Sequence, residues 1–376
     1  CSSYSCNCVV TNDLFSVHLN YNIFNDNSTG NSTACVNICH IVVIGGGPAG
    51  LRAGTELDNL GYNVILVEKS SVLGGHLAQW DRLFPGGEKA DDVLEQLIKG
   101  IGKVKCFTET TVQSINLLKN SYNVILSNGI TVLAEAVLFT TGFDLFPAQK
   151  KEEYGYGIYD RVITNADLEK GFRTRKDKRI PESPQKIGFV HCVGSRDEKA
   201  GNRYCSKVCC ATAVKQACEI KQEFPDAQVF CFYMDLRMFA RGFEDMYLNA
   251  QKDYGIRFIR GRVSEVAENI NKELVVKAED TLSGKPIKVT LDLLVLMSGM
   301  QNCASGTEIA TQLGIRKSEN DGFFETQGNI LQLQHSQKPG VFFAGACTGP
   351  KTLPDSLNEA SSAALAIHNY VKNKTK

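Results

Sequence analysis

The segment "HIVVIGGGPAG" (40–50) constrains this chain more than any other. A continuous apolar strand, 40–44, runs into Gly45-x-Gly47-x-x-Gly50. The pattern then predicts a helix to Leu60, ended by Gly61, and a second strand, "NVILVE" (63–68). Glu68 closes that strand 23 residues after Gly45. Strand, glycine turn, helix, strand and acid in this order are the fingerprint of a dinucleotide-binding βαβ unit. Gly45 permits the tight turn, Gly47 lets a pyrophosphate approach the backbone, and Gly50 packs helix on strand. The helix start offers N–H donors and a positive dipole end to phosphates, and Glu68 is placed to accept from ribose hydroxyls.

Further along, 91–103 predicts another helix, and "SYNVILSNGITVLAEAVLFTTG" predicts a hairpin about Asn128-Gly129 and a strand ending at Gly142. A second α/β series begins near Ile187: strand "IGFVHCV", helix 206–223, strand 228–235, helix 241–253 and strand "IRFIRG". Hairpin strands over about 262–290 lead to "LDLLVLMSG". The strand "GVFFAGA" and a helix over 355–371 then return to the first type. The economical layout is an outer dinucleotide domain, 40–157 and 288–376, with a similar α/β domain, 158–287, inserted. Lys+Arg and Asp+Glu balance at 41 each, so no net field favours nucleic acid or an anionic membrane. No apolar run approaches the ~18 residues of a membrane span. Residues 1–39 lack Lys and Arg and are rich in Asn, Ser and Thr. They are expected to be disordered or an extension foreign to the fold.

Of 14 cysteines, five fall in residues 1–39, and Cys106, Cys218, Cys231, Cys303 and Cys347 read as small buried hydrophobes. The other four are Cys192, Cys205, Cys209 and Cys210, within nineteen residues. They suit the ligand set of one iron–sulfur cluster, with zinc or purely structural thiols as the other readings. A helix over 206–223 puts Cys205 and Cys209 on one face at its start, with Cys210 about 100° round. Arg196, Arg203 and Lys207 stand ready to offset an anionic centre. A second glycine fingerprint is missing after "IGFVHCV", where glycines stand only at 194 and 201, although Asp235 ends the next strand. The nicotinamide site is therefore expected to be degraded and its loop rebuilt around a metal. Thiols held for a metal suit the reducing cytoplasm.

"EKSSVLGGHLAQ", "LFTTG" and "GVFFAGACTGPKTLPDS" resemble the thioredoxin-reductase-like flavoproteins with two dinucleotide-binding domains. That resemblance implies an α/β fold in which FAD is held by Gly45, Gly47, Ala49, Gly50, Glu68, Lys69, Gly75, His76, Gly142, Gly345 and Leu353. The helix near Asp355 would aim its N-terminus at the flavin. With "CVGSRDE", "YCSKVCC", "FYMDLR", "RFIRGR" and "GPKTLPDS", residues 40 onward resemble the A subunit of heterodisulfide reductase. The match is to its short bacterial-type form, related to the A subunit of quinone-interacting oxidoreductase. This implies one [4Fe–4S] cluster on Cys192, Cys205, Cys209 and Cys210 in the inserted domain, beside FAD, with Lys215 as candidate catalytic residue at the flavin. It also implies a cytoplasmic oxidoreductase subunit relaying electrons to heterodisulfide-reductase B/C-like or other iron–sulfur subunits, and it allows a homodimer. No C-x₂-C-x₂-C run and no inserted ferredoxin-like module occur after Trp80, so a single flavin–cluster relay is expected rather than bifurcation. The alternative is a stand-alone NAD(P)H-dependent flavin disulfide reductase. The missing C-x-x-C pair and missing second glycine fingerprint count against it. A scaffold with redox-inert cofactors is the third reading.

Overall fold

The structure, a computed structural model, describes residues 40–374; the expectations for residues 1–39 lie outside the described residues. The chain opens with β1 (His40–Ile44), α1 (Pro48–Asn59), β2 (Asn63–Val67), α2 (Ala90–Lys99) and β3 (Lys105–Phe107). An antiparallel run follows: β4 (Val112–Leu117), β5 (Tyr122–Leu126) and β6 (Thr131–Phe139). β1 pairs in parallel with both β2 and β6, and a mid-sheet strand covered on both faces needs an unbroken apolar run. Accordingly Ile41 and Val43 enter one core with Leu51, Leu57 and Ala363, while Val42 and Ile44 enter another with Val124 and Phe139. The β5–β6 hairpin turns at Asn128-Gly129, with Gly129 at φ +85° and the Asn128 side chain accepting from Ile130 N at 3.1 Å.

The chain continues through β7 (Phe143–Leu145), β8 (Val162–Thr164), α3 (Asn165–Thr174), β9 (Lys186–Val193), α4 (Cys209–Glu223), β10 (Gln228–Tyr233), α5 (Phe243–Lys252) and β11 (Arg257–Arg260). A three-stranded antiparallel sheet, β12 (Val263–Glu268), β13 (Leu274–Asp280) and β14 (Lys285–Leu291), precedes β15 (Leu293–Ser298), β16 (Met300–Asn302) and α6 (Ala304–Gln312). The second sheet has the order β11-β10-β9-β15-β8, all parallel. It thus runs to Ser298, past residue 287 where the sequence pattern ends the inserted unit. Its strands also separate two cores: Ile187 and Phe189 pack with Ala213 and Val214 of α4, and Val190 packs with Leu274 and Val276 of β13.

β17 (Val341–Phe343) and α7 (Leu353–Lys374) return to the first sheet, β17 beside β6 and α7 against α1. That sheet has the order β3-β2-β1-β6-β5-β4, with β17 also paired to β6. The chain leaves the first half through β7 and comes back through β16. These two crossings pair antiparallel, Phe143 opposite Asn302 and Leu145 opposite Met300.

Candidate functional site

The C-terminal ends of β1, β2 and β6 open on one cleft, the edge at which α/β sheets bind ligands. Gly45 stands at φ +112°, and a Cβ there would collide with the Thr140 carbonyl. A Cβ on Gly50 would collide with the Gly45 carbonyl, so this glycine lets α1 close onto the strand turn. A Cβ on Gly47 would meet nothing within 4 Å, which leaves its backbone open to the cleft. α1 begins at Pro48 with no side-chain cap and no acid in its first turn, so its leading N–H groups remain for an anion. Glu68 is buried and oriented: Oε2 accepts from Gly46 N at 2.6 Å and Oε1 from Ser70 N at 2.8 Å. Each oxygen keeps a lone pair for a hydroxyl.

A cavity of about 340 Å³ fills this cleft. Of the residues assigned to a cofactor, Gly45, Gly47, Ala49, Glu68, Lys69, Gly75, His76, Gly142 and Leu353 line it. Gly50 and Gly345 stand behind the lining. Gly345, at φ +76°, lies so near Ala49 that a Cβ would come within 2.8 Å of the Ala49 Cβ.

Gly74 and Gly75, at φ +111° and +55°, start the short turn that carries His76. The His76 ring stacks on Phe143 with centroids 4.4 Å apart and lies near-parallel to Trp80 at 6.4 Å, and its Nε2 is 2.9 Å from Phe143 O. These three rings line both this cavity and a second one of about 480 Å³, which reaches Cys209, Thr212 and Lys215 on α4. Sequence reasoning missed Trp80, Phe143 and Lys351 as lining of both cavities. The signal for one of them was available, because Trp80 is the single tryptophan and follows His76 by four residues. Lys215 is buried, bonded to Glu169, donating to Arg82 O at 2.9 Å and 3.3 Å from Glu219. Glu169 also accepts from Asp81 N at 3.1 Å and Gln216 Nε2 at 2.8 Å. Burial pushes the Glu219 carboxyl up to about 7; Lys215 pulls it down and Glu169 opposes that pull.

Cys192, the last residue but one of β9, stands at φ +58°, and Arg196 (+51°) and Lys207 (+59°) share that left-handed backbone in the connection that follows, a strain typical of functional sites. α4 begins only at Cys209. Cys205 therefore lies in the turn before the helix, which corrects the expectation that it shares a helical face with Cys209. The reason is local: Lys207 bends the turn back so that its N–H donates to Cys205 Sγ at 3.3 Å. Cys210 Sγ accepts from Arg237 N at 3.5 Å. Burial pushes the Cys192 thiol up to about 11 and raises Cys209 and Cys210 as well. Charge on Cys205 and Cys210 adds to the cost at Cys192, and all three other thiols add to it at Cys209. The four are electrostatic neighbours. Among the described residues, however, no three or more His, Cys, Asp or Glu side chains are arranged to hold a metal ion.

Of the expected counter-charges, Arg196 is in place: Nη2 donates to Asp235 at 2.7 Å, the buried Nη1 has no hydrogen-bond partner, and the guanidinium favours ionised Cys192. Arg203 is not in place; it is exposed and lies 3.6 Å from Glu198. Lys207 reaches away to Asp355 at 2.8 Å. Asp355 and Thr352 exchange hydrogen bonds (Asp355 N to Thr352 Oγ1 at 3.2 Å, Thr352 N to Asp355 Oδ2 at 3.3 Å) and so cap α7, which starts at Leu353. The thiol turn and the helix bordering both cavities are thereby joined.

Residues 40–137 match the family model for FAD dependent oxidoreductases. The chain is 32% identical to the second iron–sulfur A subunit of CoB–CoM heterodisulfide reductase from Methanopyrus kandleri over 413 aligned positions, 86% of this chain and 63% of that protein. It is 29% identical to the corresponding A subunit of Methanocaldococcus jannaschii, over 87% and 63%. The chain thus spans less than two thirds of these relatives' length. The alignments are also longer than the part of this chain they use, so the relatives hold segments inside the aligned region with no counterpart here. In fold it matches Lactococcus lactis thioredoxin reductase (TM-score 0.64, 17% identity, 89% of this chain and 99% of that one). It also matches T. acidophilum thioredoxin reductase (TM-score 0.62, 17% identity, 89% and 98%). The chain is a homologue of the heterodisulfide reductase A subunit, built on the thioredoxin-reductase-like flavoprotein fold with two dinucleotide-binding domains.

Proposed function

We propose that this chain binds FAD and one [4Fe–4S] cluster and is an electron-transfer oxidoreductase subunit of a heterodisulfide-reductase-like complex, relaying electrons between flavin and partner iron–sulfur subunits. One observation carries the reading: two cavities sharing a wall of His76, Phe143 and Trp80 lead from Glu68 to Cys209, which has Cys192, Cys205 and Cys210 as neighbours. The residues present supply the donor types that both groups need, although among the described residues no three side chains are arranged around a metal ion. The open backbone at Gly47, the uncapped start of α1 and the oriented Glu68 suit a dinucleotide. Four thiols gathered at the end of β9 and the start of α4, beside an Arg196 Nη1 with no hydrogen-bond partner, offer the donors and the counter-charge of an anionic four-thiolate cluster.

When bound, FAD exchanges electron pairs and a four-iron cluster exchanges single electrons. The chain's residues then have distinct tasks. Gly47 and α1 take the phosphates, Glu68 the ribose, and the ring wall excludes water. Cys192, Cys205, Cys209 and Cys210 would ligate the cluster in the second α/β domain, with Arg196 and the Arg237 N–H offsetting thiolate charge. Lys215, clamped by Glu169 and the Arg82 carbonyl, holds a positive charge at the end of the second cavity. Glu219 is the neighbouring group able to hold or release a proton near neutrality. The partners would be B/C-like or other iron–sulfur subunits, or a second copy, and reduced thiols suit the cytoplasm. No described helix is long and apolar enough to cross a membrane.

A stand-alone NAD(P)H-dependent disulfide reductase needs a phosphate cradle after β9. There, a Cβ on Gly194 would run into the Phe146 ring, and Asp235 is taken up by Arg196. Anaerobic purification with flavin, iron and sulfide counts, and a spectrum before and after NAD(P)H, separates the two. About four irons per chain and no bleaching by NAD(P)H is the expected result; rapid bleaching without iron would sink the proposal. Cys205→Ala should lose the iron and keep the flavin.

A further inference from the structure

Six residues line both cavities: His76, Trp80, Phe143, Met300, Lys351 and Leu353. Lys351 is the single Lys, Arg, Asp or Glu among them, and the glycine fingerprint does not require it. Its position is set by the residues before it. Gly349 stands at φ +137°, a conformation kept for glycine, and Pro350 fixes its own φ near about −65°. The approach to α7, which starts two residues after Lys351, is therefore stiff. The Lys351 side chain is 13% exposed. Its Nζ donates to Thr348 Oγ1 at 2.9 Å and lies 3.4 Å from Glu359 Oε1, while Glu359 Oε2 accepts from Gly345 N at 3.1 Å. An ammonium carries three donors, and this one faces one shared carboxylate, whereas Lys215 at the end of the second cavity has both Glu169 and Glu219.

We propose that Lys351 lies against the flavin ring and balances the negative charge the ring gains on reduction, so that this lysine sets the flavin's potential. The inference rests on the reading that the chain binds FAD. The cavity round Glu68 holds about 340 Å³, the low end of what a drug-sized ligand fills. A dinucleotide is larger, so its ring end reaches the junction of the two cavities. The phosphates have the Gly47 backbone and the uncapped start of α1, and the ribose has Glu68. The aromatic wall is left for the ring, and Lys351 is the fixed charge on that wall. Two electrons from the iron–sulfur partners of the relay and one proton turn the neutral oxidised ring into an anion; Lys351 keeps its own proton throughout. A cation beside the ring stabilises only the charged form.

The test is a reductive titration of the anaerobically purified full chain with dithionite and redox dyes at pH 8, following flavin absorbance and counting flavin. Lys351→Met should keep oxidised flavin at the parent level. It should lower the reduced-to-oxidised ratio at a fixed potential about ten- to a hundredfold, a fall of about 30–60 mV for a two-electron couple. Lys351→Arg should restore the ratio. Glu359→Gln keeps an acceptor for Gly345 N and removes the opposing charge, so it should shift the potential the other way. A lysine that only ties Thr348 to α7 would give no such pair of opposite shifts. An unchanged potential in Lys351→Met, or a shift of one sign in both variants, would overturn the inference. So would a Lys351→Met chain that loses oxidised flavin, the mark of a phosphate contact. A parent chain without flavin removes the FAD reading itself, and this inference with it.

Discussion

Replacing Lys151 by Met should unfasten the connection that carries Cys205. Lys151 is 6% exposed and lies 2.6 Å from Glu153 and 2.8 Å from Asp197. Asp197, 2% exposed, also accepts from Lys199 N at 3.0 Å and Ala200 N at 3.3 Å inside that connection. Methionine keeps the bulk and removes the charge, leaving the Asp197 carboxylate with Arg262 at 3.1 Å, itself half exposed. Removing one partner of a buried pair costs about 3–5 kcal/mol. The surviving arginine recovers part, so a net loss of about 2–3 kcal/mol is expected. Burial raises the Asp197 carboxyl, but Lys151 and Arg262 outweigh it and hold the pKa below its ordinary value. In the parent chain this stabilisation is therefore present above the unfolded pKa and is lost as pH falls through the lower folded one. Without Lys151 the balance reverses: the carboxyl rises, and the variant should be weakest at pH 8 and approach the parent as pH drops toward 5. Adding Asp197→Asn, which keeps an acceptor for the two N–H groups without the charge, should restore about 1–2 kcal/mol. Urea unfolding followed by circular dichroism at both pH values measures all three. A Lys151→Met loss under about 0.5 kcal/mol at pH 8, or a double variant no better than the single, refutes the reasoning.

Gly47→Val should leave stability within about 0.5 kcal/mol yet strip flavin, whereas Gly50→Ala should destabilise by about 3 kcal/mol or more; thermal melts and flavin content distinguish them, and retained flavin in Gly47→Val would contradict the phosphate assignment. The Glu219 carboxyl is pushed up to about 7 by burial, so the folded chain loses up to about 3 kcal/mol as pH rises from the unfolded carboxylate range through 7. Glu219→Gln should remove that slope and gain on the parent at pH 8 relative to pH 5; an equal difference at both pH values would count against it. Lys207→Met should cost less than about 1 kcal/mol in urea, because the Lys207–Asp355 pair is 36% and 44% exposed; a larger loss would mean that the bridge holds more than its charge.

The cleft at the ends of β1, β2 and β6 was legible because its requirements are local. Gly45, Gly47 and Gly50 each answer to one backbone distance or angle within a single turn, and Glu68 ends the next strand at a fixed spacing. α7 was likewise found within a few residues. The thiol site was legible as a set of residues but not as a shape. A helical reading of 206–208 ignores that Lys207 adopts φ +59° to reach Cys205, which propensity does not reveal. Arg203 and Arg196 look alike in sequence, yet only Arg196 finds Asp235, 39 residues away and just past the end of β10. The wall of His76, Phe143 and Trp80 depends on contacts 67 residues apart, and the run of β15 into the second sheet depends on pairing with strands more than 100 residues earlier. No spacing rule spans such separations.

The pairing of β7 with β16 has a mechanical consequence. Two linkers running separately between domains act as a hinge, and the halves swing about them. Here the two linkers are paired to each other, so a swing about either one alone must strain the hydrogen bonds between them. Further stitches reinforce it: Lys207 to Asp355, Lys215 to the Arg82 carbonyl, and Asp81 N to Glu169. The frame is welded rather than jointed. The span from the ring wall to Cys209 is therefore part of the folded frame. Under the proposed relay, that distance is held by the chain itself and not by a moving domain.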